Sequence, residues 1–318
     1  MKFLVTGANG FVGNALVAAL QRNAHSVRRA LRNMREEEND AVSIGDINGH
    51  TDWDEALRDI DIVIHLAARV HVMHESAADP LAAFREVNVA GTENLARQAA
   101  AAGVKRLVYV SSIKVNGEET TDGHVYRETD PPAPQDPYGI SKWETEQVLH
   151  QIAAETGLEI VIVRPPLVYG PGVKGNFLQL LKAVYAGIPL PLAKVNNARS
   201  LLYLGNLVDI LLACAIHPAA KGRTYLLRDG EDISVKDLAR ELGMMLGRRA
   251  KMFALPGALL QAMATVIGRQ DMWNRLTTSL CLDDAAIRRE IGWEPKYTLR
   301  QGLQATATWY KGQRNPSL

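Results

Sequence analysis

The segment 2–13, KFLVTGANGFVG, constrains the fold of this 318-residue chain more than any other stretch of it. An apolar run at its start predicts a short buried strand, and Gly7, Gly10 and Gly13 then occupy the turn into a predicted helix over 14–22. Glycines at this spacing allow a tight turn, a close approach of backbone amides to a pyrophosphate, and close packing of the helix on the strand. The unpaired amides and the dipole at the helix N-terminus favour an anion. The segment therefore predicts a dinucleotide-binding site.

Downstream, apolar runs alternate with helical patterns, which is typical of a parallel sheet covered by helices on both faces. The predicted strands are 26–31, 61–66, 107–111 and 160–164, and the predicted helices are 52–58, 80–102 and 138–156. We therefore predict an α/β protein with a Rossmann-type doubly wound parallel sheet and a smaller, mostly C-terminal substrate-binding portion. The dinucleotide-binding domain is predicted to span 1–165. The substrate-binding portion is predicted to span 166–318, with segments near 200–230 returning to the first domain.

Composition excludes several classes of protein. A formal net charge of +1 provides no basic footprint for nucleic acid. Only two cysteines occur, Cys214 and Cys281, so we expect no disulfide framework and a reducing compartment. Because the predicted strand begins at the second residue of the sequence, we expect no signal peptide. The apolar segment 252–268 is broken by Pro256 and Gly257 and is too short to span a bilayer, so we expect a cytoplasmic protein without a membrane partner.

A second group of residues carries chemistry. Tyr138 and Lys142 are four residues apart, so at the start of a helix they share one face. A lysine ammonium beside a phenol stabilises the phenolate, which predicts a lowered tyrosine pKa and a proton donor or acceptor usable near neutrality. Upstream, the strand YVSS ends at Ser111 and Ser112, on the carboxyl side of the sheet where ligands bind. The Ser112 hydroxyl is expected to hydrogen-bond the substrate oxygen that Tyr138 protonates.

Seven motifs occur in one order along nearly the whole chain. They are TGANGFVG, GDI at 45–47, HLAA at 65–68, NVAGT at 88–92, YVSS, YGISK and RPPLVYGPG. With them the chain resembles the extended short-chain dehydrogenase/reductase superfamily and, within it, the nucleotide-sugar epimerase/dehydratase family. The resemblance implies a bound NAD or NADP and a nucleotide-sugar substrate, which we expect to be UDP-linked. It also implies a homodimer formed through the helices at 80–102 and 138–156.

The resemblance also assigns most of the site residues. Arg32 and Lys114 are candidates at positions where the chain departs from the family, and Lys114 either reaches toward the substrate or points to solvent. The catalytic group is Ser112, Tyr138 and Lys142. Cofactor binding is assigned to Gly7, Asn9, Gly10, Phe11, Val12, Arg32, Asp46, Ile47, Leu66, Ala67, Ala68 and Pro165, together with Tyr138 and Lys142. Substrate binding is assigned to Lys114, Asn176, Arg199 and Arg275. His71 and His74 are three residues apart, but no cysteine or carboxylate cluster completes a site with them, so we expect no metal.

The chain departs from the family pattern where the second strand ends. Relatives that hold NAD tightly often have an aspartate there, which accepts a hydrogen bond from the ribose 2'-hydroxyl. This chain has Leu31 and Arg32, with Arg28, Arg29 and Arg35 close by. An arginine suits a 2'-phosphate and favours NADP. The alternative interpretation is that these arginines form a solvated strand edge.

Two reactions at C4 of a nucleotide-linked hexose follow from the resemblance. In the first, a 4-keto sugar is reduced by NAD(P)H and a proton from Tyr138, and the missing aspartate favours this reaction. Its substrate is expected to be a UDP-4-keto-6-deoxy-2-acetamido sugar used for surface polysaccharide. In the second, a UDP-hexose 4-epimerase removes hydride from C4 and returns it to the opposite face.

Two other functions are disfavoured, and the group that carries the sugar is left open. A dehydratase is disfavoured because Ile113 and Lys114 stand where related dehydratases place an acidic pair. A non-catalytic NAD(P)-binding module is disfavoured because Tyr138 and Lys142 are both retained. The carrier is either UDP or a polyprenyl diphosphate, since the apolar segment after Met252 is compatible with a lipid-linked substrate.

Overall fold

The computed structural model describes residues 1–34, 40–70, 79–121, 123–255 and 276–314. Its main sheet has seven strands in the order β3-β2-β1-β4-β5-β6-β9, and every pairing in it is parallel. The strands are β1 Lys2–Thr6, β2 Ser26–Leu31, β3 Ala41–Ser43, β4 Ile62–His65, β5 Arg106–Val110, β6 Glu159–Arg164 and β9 Thr224–Leu226. The predicted α/β class and doubly wound parallel sheet are confirmed.

Side chains of the central strands alternate between two buried faces. Phe3 and Val5 of β1 pack on one face with helices α1 Phe11–Arg22 and α7 Leu204–Ile216. Leu4, between them, packs on the other face with α4 Gly91–Ala101 and α5 Pro137–Thr156. Because a strand directs successive side chains to opposite sides, a strand covered on both faces is apolar throughout. This explains the uninterrupted apolar runs in the sequence.

The remaining described elements complete the two layers and a smaller portion. A three-stranded sheet has the order β10-β8-β7, formed by β7 Leu167–Tyr169, β8 Arg199–Tyr203 and β10 Asp232–Ile233. The helices not yet named are α2 Asp54–Leu57, α3 Pro80–Phe84, α6 Gly175–Tyr185, α8 Val235–Leu246, α9 Ala285–Ile291 and α10 Leu299–Arg314. Helices α6, α8 and α10 enclose their own apolar core with the small sheet. Short 3-10 turns lie at Ile113–Val115 and Pro218–Ala220.

Two predicted helices differ from the structure. The helix predicted over 80–102 is three consecutive pieces, because a π-helix, Arg85–Ala90, lies between α3 and α4. Asn88 in the π-helix is buried, and its side chain accepts from the Arg69 amide and donates to the Ser141 hydroxyl. The helix predicted over 52–58 is reduced to the single turn α2. The homodimer expected through the helices at 80–102 and 138–156 stays a prediction.

The segment 200–230 divides between the two cores. Helix α7 packs on the main sheet and β9 extends that sheet beside β6, whereas β8 pairs with β7 and β10 in the small sheet. Residues of α9 also pack on the main sheet, which shows that the chain crosses between the portions more than once. Within the described ranges, no helix combines the length and apolar character needed to cross a membrane.

Candidate active site

The glycine-rich turn after β1 leaves no space for larger residues. Gly7 has φ of +64°, which favours glycine, and a Cβ there would lie 2.9 Å from the Ala67 nitrogen. A Cβ on Gly13 would lie 2.1 Å from the Gly7 carbonyl oxygen. Gly10 caps α1 with an extended backbone and no side-chain hydrogen bond. The first amides of α1, those of Phe11 and Val12 included, therefore have no intrahelical acceptor and can donate to an anion.

A cleft of about 960 Å³ opens beside this turn at the carboxyl edge of the sheet. It is lined by nine of the residues predicted to bind cofactor: Gly7, Asn9, Gly10, Arg32, Asp46, Ile47, Leu66, Ala67 and Ala68. The walls thus come from four strand ends, those of β1, β2, β3 and β4. Phe11 lines a neighbouring recess instead, and the side chain of Val12 packs on the apolar core, so neither side chain lines the cleft. The cradle fits a dinucleotide.

The arginines near the end of β2 have different surroundings. Arg32 Nε lies 2.9 Å from Asp46 Oδ1, and both side chains are about three-quarters exposed at the cleft. Arg28 donates instead to backbone carbonyls at the end of α2, those of Glu55, Ala56 and Arg58. Arg35 lies outside the described residues. Of Arg28 and Arg32, only Arg32 therefore lines the cleft.

The candidate catalytic residues come from the end of β5 and the start of α5. Ser112 begins the short 3-10 turn, and its Oγ accepts from the Lys114 amide at 3.2 Å. Tyr138 lies in the first turn of α5, with its ring edge-on to Phe84. Both Ser112 and Tyr138 line a second cavity. One strand end and one helix start therefore place a hydroxyl and a phenol at the same pocket.

Lys142 lies one turn further along α5 and is 2% exposed. Its Nζ donates to the Val110 carbonyl at 2.9 Å and lies 4.5 Å from the centre of the Tyr109 ring and 5.8 Å from that of Tyr138. Burial lowers the pKa of Lys142 to about 7, and the nearby Glu146 carboxylate acts in the opposite direction. Lys142 therefore titrates near neutrality.

The direction of the Tyr138 shift is the reverse of the prediction. Burial, followed by the charge of Asp136, raises the pKa of the Tyr138 phenol, while the Ser112 hydroxyl lowers it. The prediction considered only the ammonium of Lys142, but the cost of burying a phenolate is larger. The ammonium itself is bound to a backbone carbonyl. Tyr138 is therefore a neutral phenol at neutral pH, which is the form that donates a proton.

The second cavity has a volume of about 290 Å³ and lies between the main sheet and the small portion. It is lined by Ser112, Lys114, Tyr138, Asn176 and Arg199, which brings together five of the predicted catalytic and substrate residues. Pro165 does not line it; its neighbour Pro166 does, and the Pro165 carbonyl accepts from the Ile113 amide. Arg275 lies outside the described residues.

Sequence reasoning missed most of the cavity wall. The missed lining residues are apolar side chains of the small portion, Phe177, Leu180, Leu201, Ile233, Val235, Leu238, Leu276 and Leu280, and one carboxylate, Glu118. Glu118 is four residues after Lys114 and forms an ion pair with it, which is a spacing that the sequence contains. The apolar lining residues could not be recognised in the sequence, because residues of the hydrophobic core show the same apolar pattern.

A buried ion pair behind the catalytic residues was also missed. Glu146 of α5 and Arg164 at the end of β6 are 0% and 4% exposed at their side chains, with Arg164 Nη2 2.6 Å from Glu146 Oε2. Ser111 donates to Glu146, and Arg164 donates to the Asn116 side chain. Glu146 follows Lys142 by four residues, so one helical face carries Tyr138, Lys142 and this carboxylate. The pair joins α5 to the strand ends that form the site.

His65 has a structural role beneath the strand ends of β1 and β4. His65 is buried, with Nδ1 2.7 Å from Thr6 Oγ1 and Nε2 3.0 Å from Thr92 Oγ1. Burial lowers the pKa of His65 to about 3, so its ring is neutral. Among the described residues, no three His, Cys, Asp or Glu side chains lie close enough together to hold a metal ion. His71 and His74 lie outside those residues, so the absence of a metal stays a prediction.

Together, the glycine cradle at the carboxyl edge of a parallel sheet and the Ser112, Tyr138 and Lys142 group beside it define a dinucleotide-binding enzyme of oxidoreductase type. The chain belongs to the NAD dependent epimerase/dehydratase family, whose sequence model matches residues 3–227. The predicted family is thus confirmed, and with it the prediction of NAD or NADP as cofactor. Bound there, the cofactor would rest on the amides at the start of α1.

Individual relatives agree with this assignment. A UDP-glucose 4-epimerase of Vibrio cholerae is 41% identical over 96% of this chain and 94% of its own length. An N-acetyl-alpha-D-glucosaminyl-diphospho-ditrans,octacis-undecaprenol 4-epimerase of Escherichia coli O157:H7 is 28% identical over 95% of this chain and 93% of its own. The crystal structure of UDP-glucuronic acid 4-epimerase from Bacillus cereus, in complex with UDP-glucuronic acid and NAD, has a TM-score of 0.79. It is 22% identical and covers 98% of this chain and all of its own, which shows the shared fold.

Proposed function

We propose that this protein transfers hydride between NAD(P) and C4 of a hexose linked to UDP. The single observation that carries the proposal is that Ser112 and Tyr138 line one cavity, with Asn176 and Arg199 also on its wall. A hydroxyl and a phenol on one side suit a reacting sugar oxygen, and an amide and a guanidinium suit a diphosphate. The cofactor supplies or accepts the hydride when it is bound.

The residues of the chain act on the proton and on orientation. Tyr138 donates a proton to the C4 oxygen when a carbonyl is reduced there, and accepts one when an alcohol is oxidised. Ser112 donates a hydrogen bond to the same oxygen and fixes its position. Lys142 lies on the same face of α5 as Tyr138, with its Nζ on the Val110 carbonyl and 5.8 Å from the centre of the Tyr138 ring. When it is charged, it offsets part of the cost of burying a phenolate during proton transfer.

One form of the reaction is 4-epimerisation of a UDP-hexose, such as UDP-glucose or UDP-N-acetylglucosamine. The 41% identity to the Vibrio cholerae UDP-glucose 4-epimerase over nearly the whole of both chains supports it. The Escherichia coli relative is also named a 4-epimerase, although its sugar is carried on a lipid diphosphate. In this form the cofactor stays bound and no net oxidation occurs.

The other form is reduction of a UDP-4-keto-6-deoxy-2-acetamido sugar for surface polysaccharide. The observation in its favour is Arg32, whose guanidinium lies at the cleft beside Asp46. A guanidinium there suits the 2'-phosphate of NADP, a cofactor that a reductase exchanges at every turnover.

Cofactor content and turnover distinguish the two forms. The protein is purified, its nucleotide is extracted and identified, and the emptied protein is titrated with NADH and NADPH. Slowly released NAD⁺ with interconversion of UDP-glucose and UDP-galactose, or of the N-acetylated pair, identifies a 4-epimerase. An empty protein that binds NADPH and consumes it with a UDP-4-keto sugar identifies a reductase. Turnover only with a polyprenyl-diphosphate sugar would contradict the UDP assignment.

A substitution of Tyr138 tests its proposed role in proton transfer. Tyr138→Phe removes only the phenol oxygen, so we expect turnover to fall by roughly 10²- to 10⁴-fold while cofactor affinity is kept. Tyr185→Phe, in the core of the small portion, is the matched control and keeps turnover. Full turnover by Tyr138→Phe with any accepted sugar would contradict the role of Tyr138.

A further inference from the structure

Lys114 forms a charged group in the wall of the second cavity, which we propose binds the substrate. Its Nζ donates to Glu118 Oε1 at 2.8 Å and to Asp136 Oδ2 in a still closer contact. All three side chains are about one-quarter exposed, so the group is shielded from much of the solvent. Two of the three ammonium hydrogens are therefore directed at carboxylates of the chain itself.

The same residue contacts the beginning of the helix that carries Tyr138. Asp136 is the N-cap of α5, where its Oδ1 accepts from the Gly139 amide at 2.7 Å. Gly139 packs so closely that a Cβ on it would lie 3.0 Å from the Lys114 carbonyl oxygen. The backbone and the side chain of Lys114 thus both touch the first turn of α5.

On its other side, Lys114 contacts the second catalytic residue. Its amide donates to Ser112 Oγ at 3.2 Å within the short 3-10 turn. The carbonyl of Lys114 faces Gly139, one position after Tyr138. A single residue therefore connects the turn that carries Ser112 with the turn that carries Tyr138.

We propose that Lys114 is a positioning residue, which holds the Ser112 turn and the first turn of α5 together through Asp136, and is not a ligand of the substrate. The inference deepens the proposed function and rests on it, because Ser112 and Tyr138 must meet at one substrate oxygen. The first turn of a helix has amides without intrahelical partners and opens readily when its cap is weakened. The ion pair with Lys114 fixes the Asp136 side chain in its capping position, so loss of the pair weakens this cap.

Two variants of Lys114 separate its charge from its size. Lys114→Met keeps the length of the side chain and removes the ammonium, whereas Lys114→Arg keeps the charge. Lys221→Met is the matched control, because Lys221 also pairs with a carboxylate, that of Glu159, but is far more exposed. If Lys114→Met does not fold, Asp136→Asn serves instead, since the amide oxygen still caps Gly139 and only the ion pair is lost.

The first measurement needs no substrate. Hydrogen exchange of the backbone amides at 138–142 is compared among the variants, and Lys114→Met is expected to exchange at least about fivefold faster at Gly139. Lys114→Arg should return the rate to within about twofold of the wild-type value, and Lys221→Met should leave it unchanged. Equal exchange in wild type and Lys114→Met would overturn the proposal, whether or not the protein acts on UDP-sugars.

The second measurement is steady-state kinetics with the accepted sugar. Misplaced catalytic groups reduce kcat, so Lys114→Met should lose roughly ten- to a hundredfold in kcat with KM within about twofold, and Lys114→Arg should recover most of it. A raised KM with unchanged kcat would instead make Lys114 a substrate ligand and overturn the proposal. If the wild-type protein turns over no UDP-sugar, the proposed function fails while the exchange result still decides the role of Lys114.

Discussion

The cofactor cleft and the substrate cavity lie at the same edge of one sheet, yet they are built in different ways. The glycine turn of the cleft packs against backbone, whose atoms occupy the space that a Cβ on Gly7 or Gly13 would need. The cavity is formed by side chains from separate segments, among them 112–118, 176–180, 199–201, 233–238 and 276–280. A backbone site requires glycines at fixed local spacing. A side-chain site requires the tertiary fold that brings distant segments together.

Charge is also distributed differently between the two regions. In the cleft, Arg32 and Asp46 are about three-quarters exposed, so water screens their interaction. Behind the cavity, Glu146 and Arg164 are almost wholly buried. We therefore expect charge changes behind the cavity to affect stability and charge changes in the cleft to affect ligand choice.

The largest effect is expected for Glu146→Gln. This change leaves the buried Arg164 guanidinium without its counterion, which costs roughly 3–5 kcal/mol of unfolding free energy. Chemical denaturation measures it, with Glu155→Gln as the control. Glu155 pairs with Arg97 at the surface, where water and salt screen the interaction, so we expect little change in the unfolding free energy. Equal losses of unfolding free energy in Glu146→Gln and Glu155→Gln would contradict the view that the buried pair matters more for stability than a surface pair.

Gly13→Ala tests the backbone construction of the cleft. The new Cβ would meet the Gly7 carbonyl and the Ala8 Cα, and neither atom can rotate away. We expect overpacking to cost about 1–3 kcal/mol and cofactor affinity to fall at least about tenfold, measured by calorimetric titration. Gly49→Ala is the control, since its Cβ would meet only a side-chain carbon at 3.5 Å. Unchanged affinity in Gly13→Ala would mean that the turn is not the cofactor cradle.

The pH dependence of stability tests the burial of Lys142. Its folded-state pKa, about 7, is below the value of 10.5 in the unfolded chain, so between these values the unfolded state binds more protons. The free energy of unfolding therefore rises with pH across this interval, by at most about 1.4 kcal/mol per pH unit. Below pH 7 the cost of burying the charged Lys142 is fully present. The unfolding free energy of wild type minus that of Lys142→Met should increase from pH 7 to 9.5. A constant difference would show that Lys142 stays charged.

The sequence predicted the parts of the molecule that depend on local pattern. Apolar runs located the central strands, and the glycine spacing located the turn beside a cleft that nine of the residues predicted to bind cofactor line. The π-helix at Arg85–Ala90 was missed, because its buried Asn88 bonds to Arg69 and Ser141, which lie far from it in the chain. The apolar wall of the cavity was missed for the same reason, because its residues come from segments that are far apart in the chain. The spacing of Tyr138 and Lys142 correctly predicted that they share one face of a helix. The direction of the Tyr138 pKa shift depended on burial, which local spacing does not reveal.

The smallest effect is expected at the exposed end of the cleft, where Arg32 faces Asp46. Arg32→Ala should weaken NADPH binding about tenfold and leave NADH within about twofold, because one exposed charge-assisted contact to a 2'-phosphate is worth little more than about 1.5 kcal/mol. Asp46→Asn should strengthen NADPH binding, since it removes a carboxylate that competes for the guanidinium. Asn33→Ala, an uncharged neighbour in the same cleft, is the control. Equal losses for both cofactors in Arg32→Ala would assign Arg32 to the shape of the cleft rather than to cofactor choice, and would remove the observation that favours the reductase.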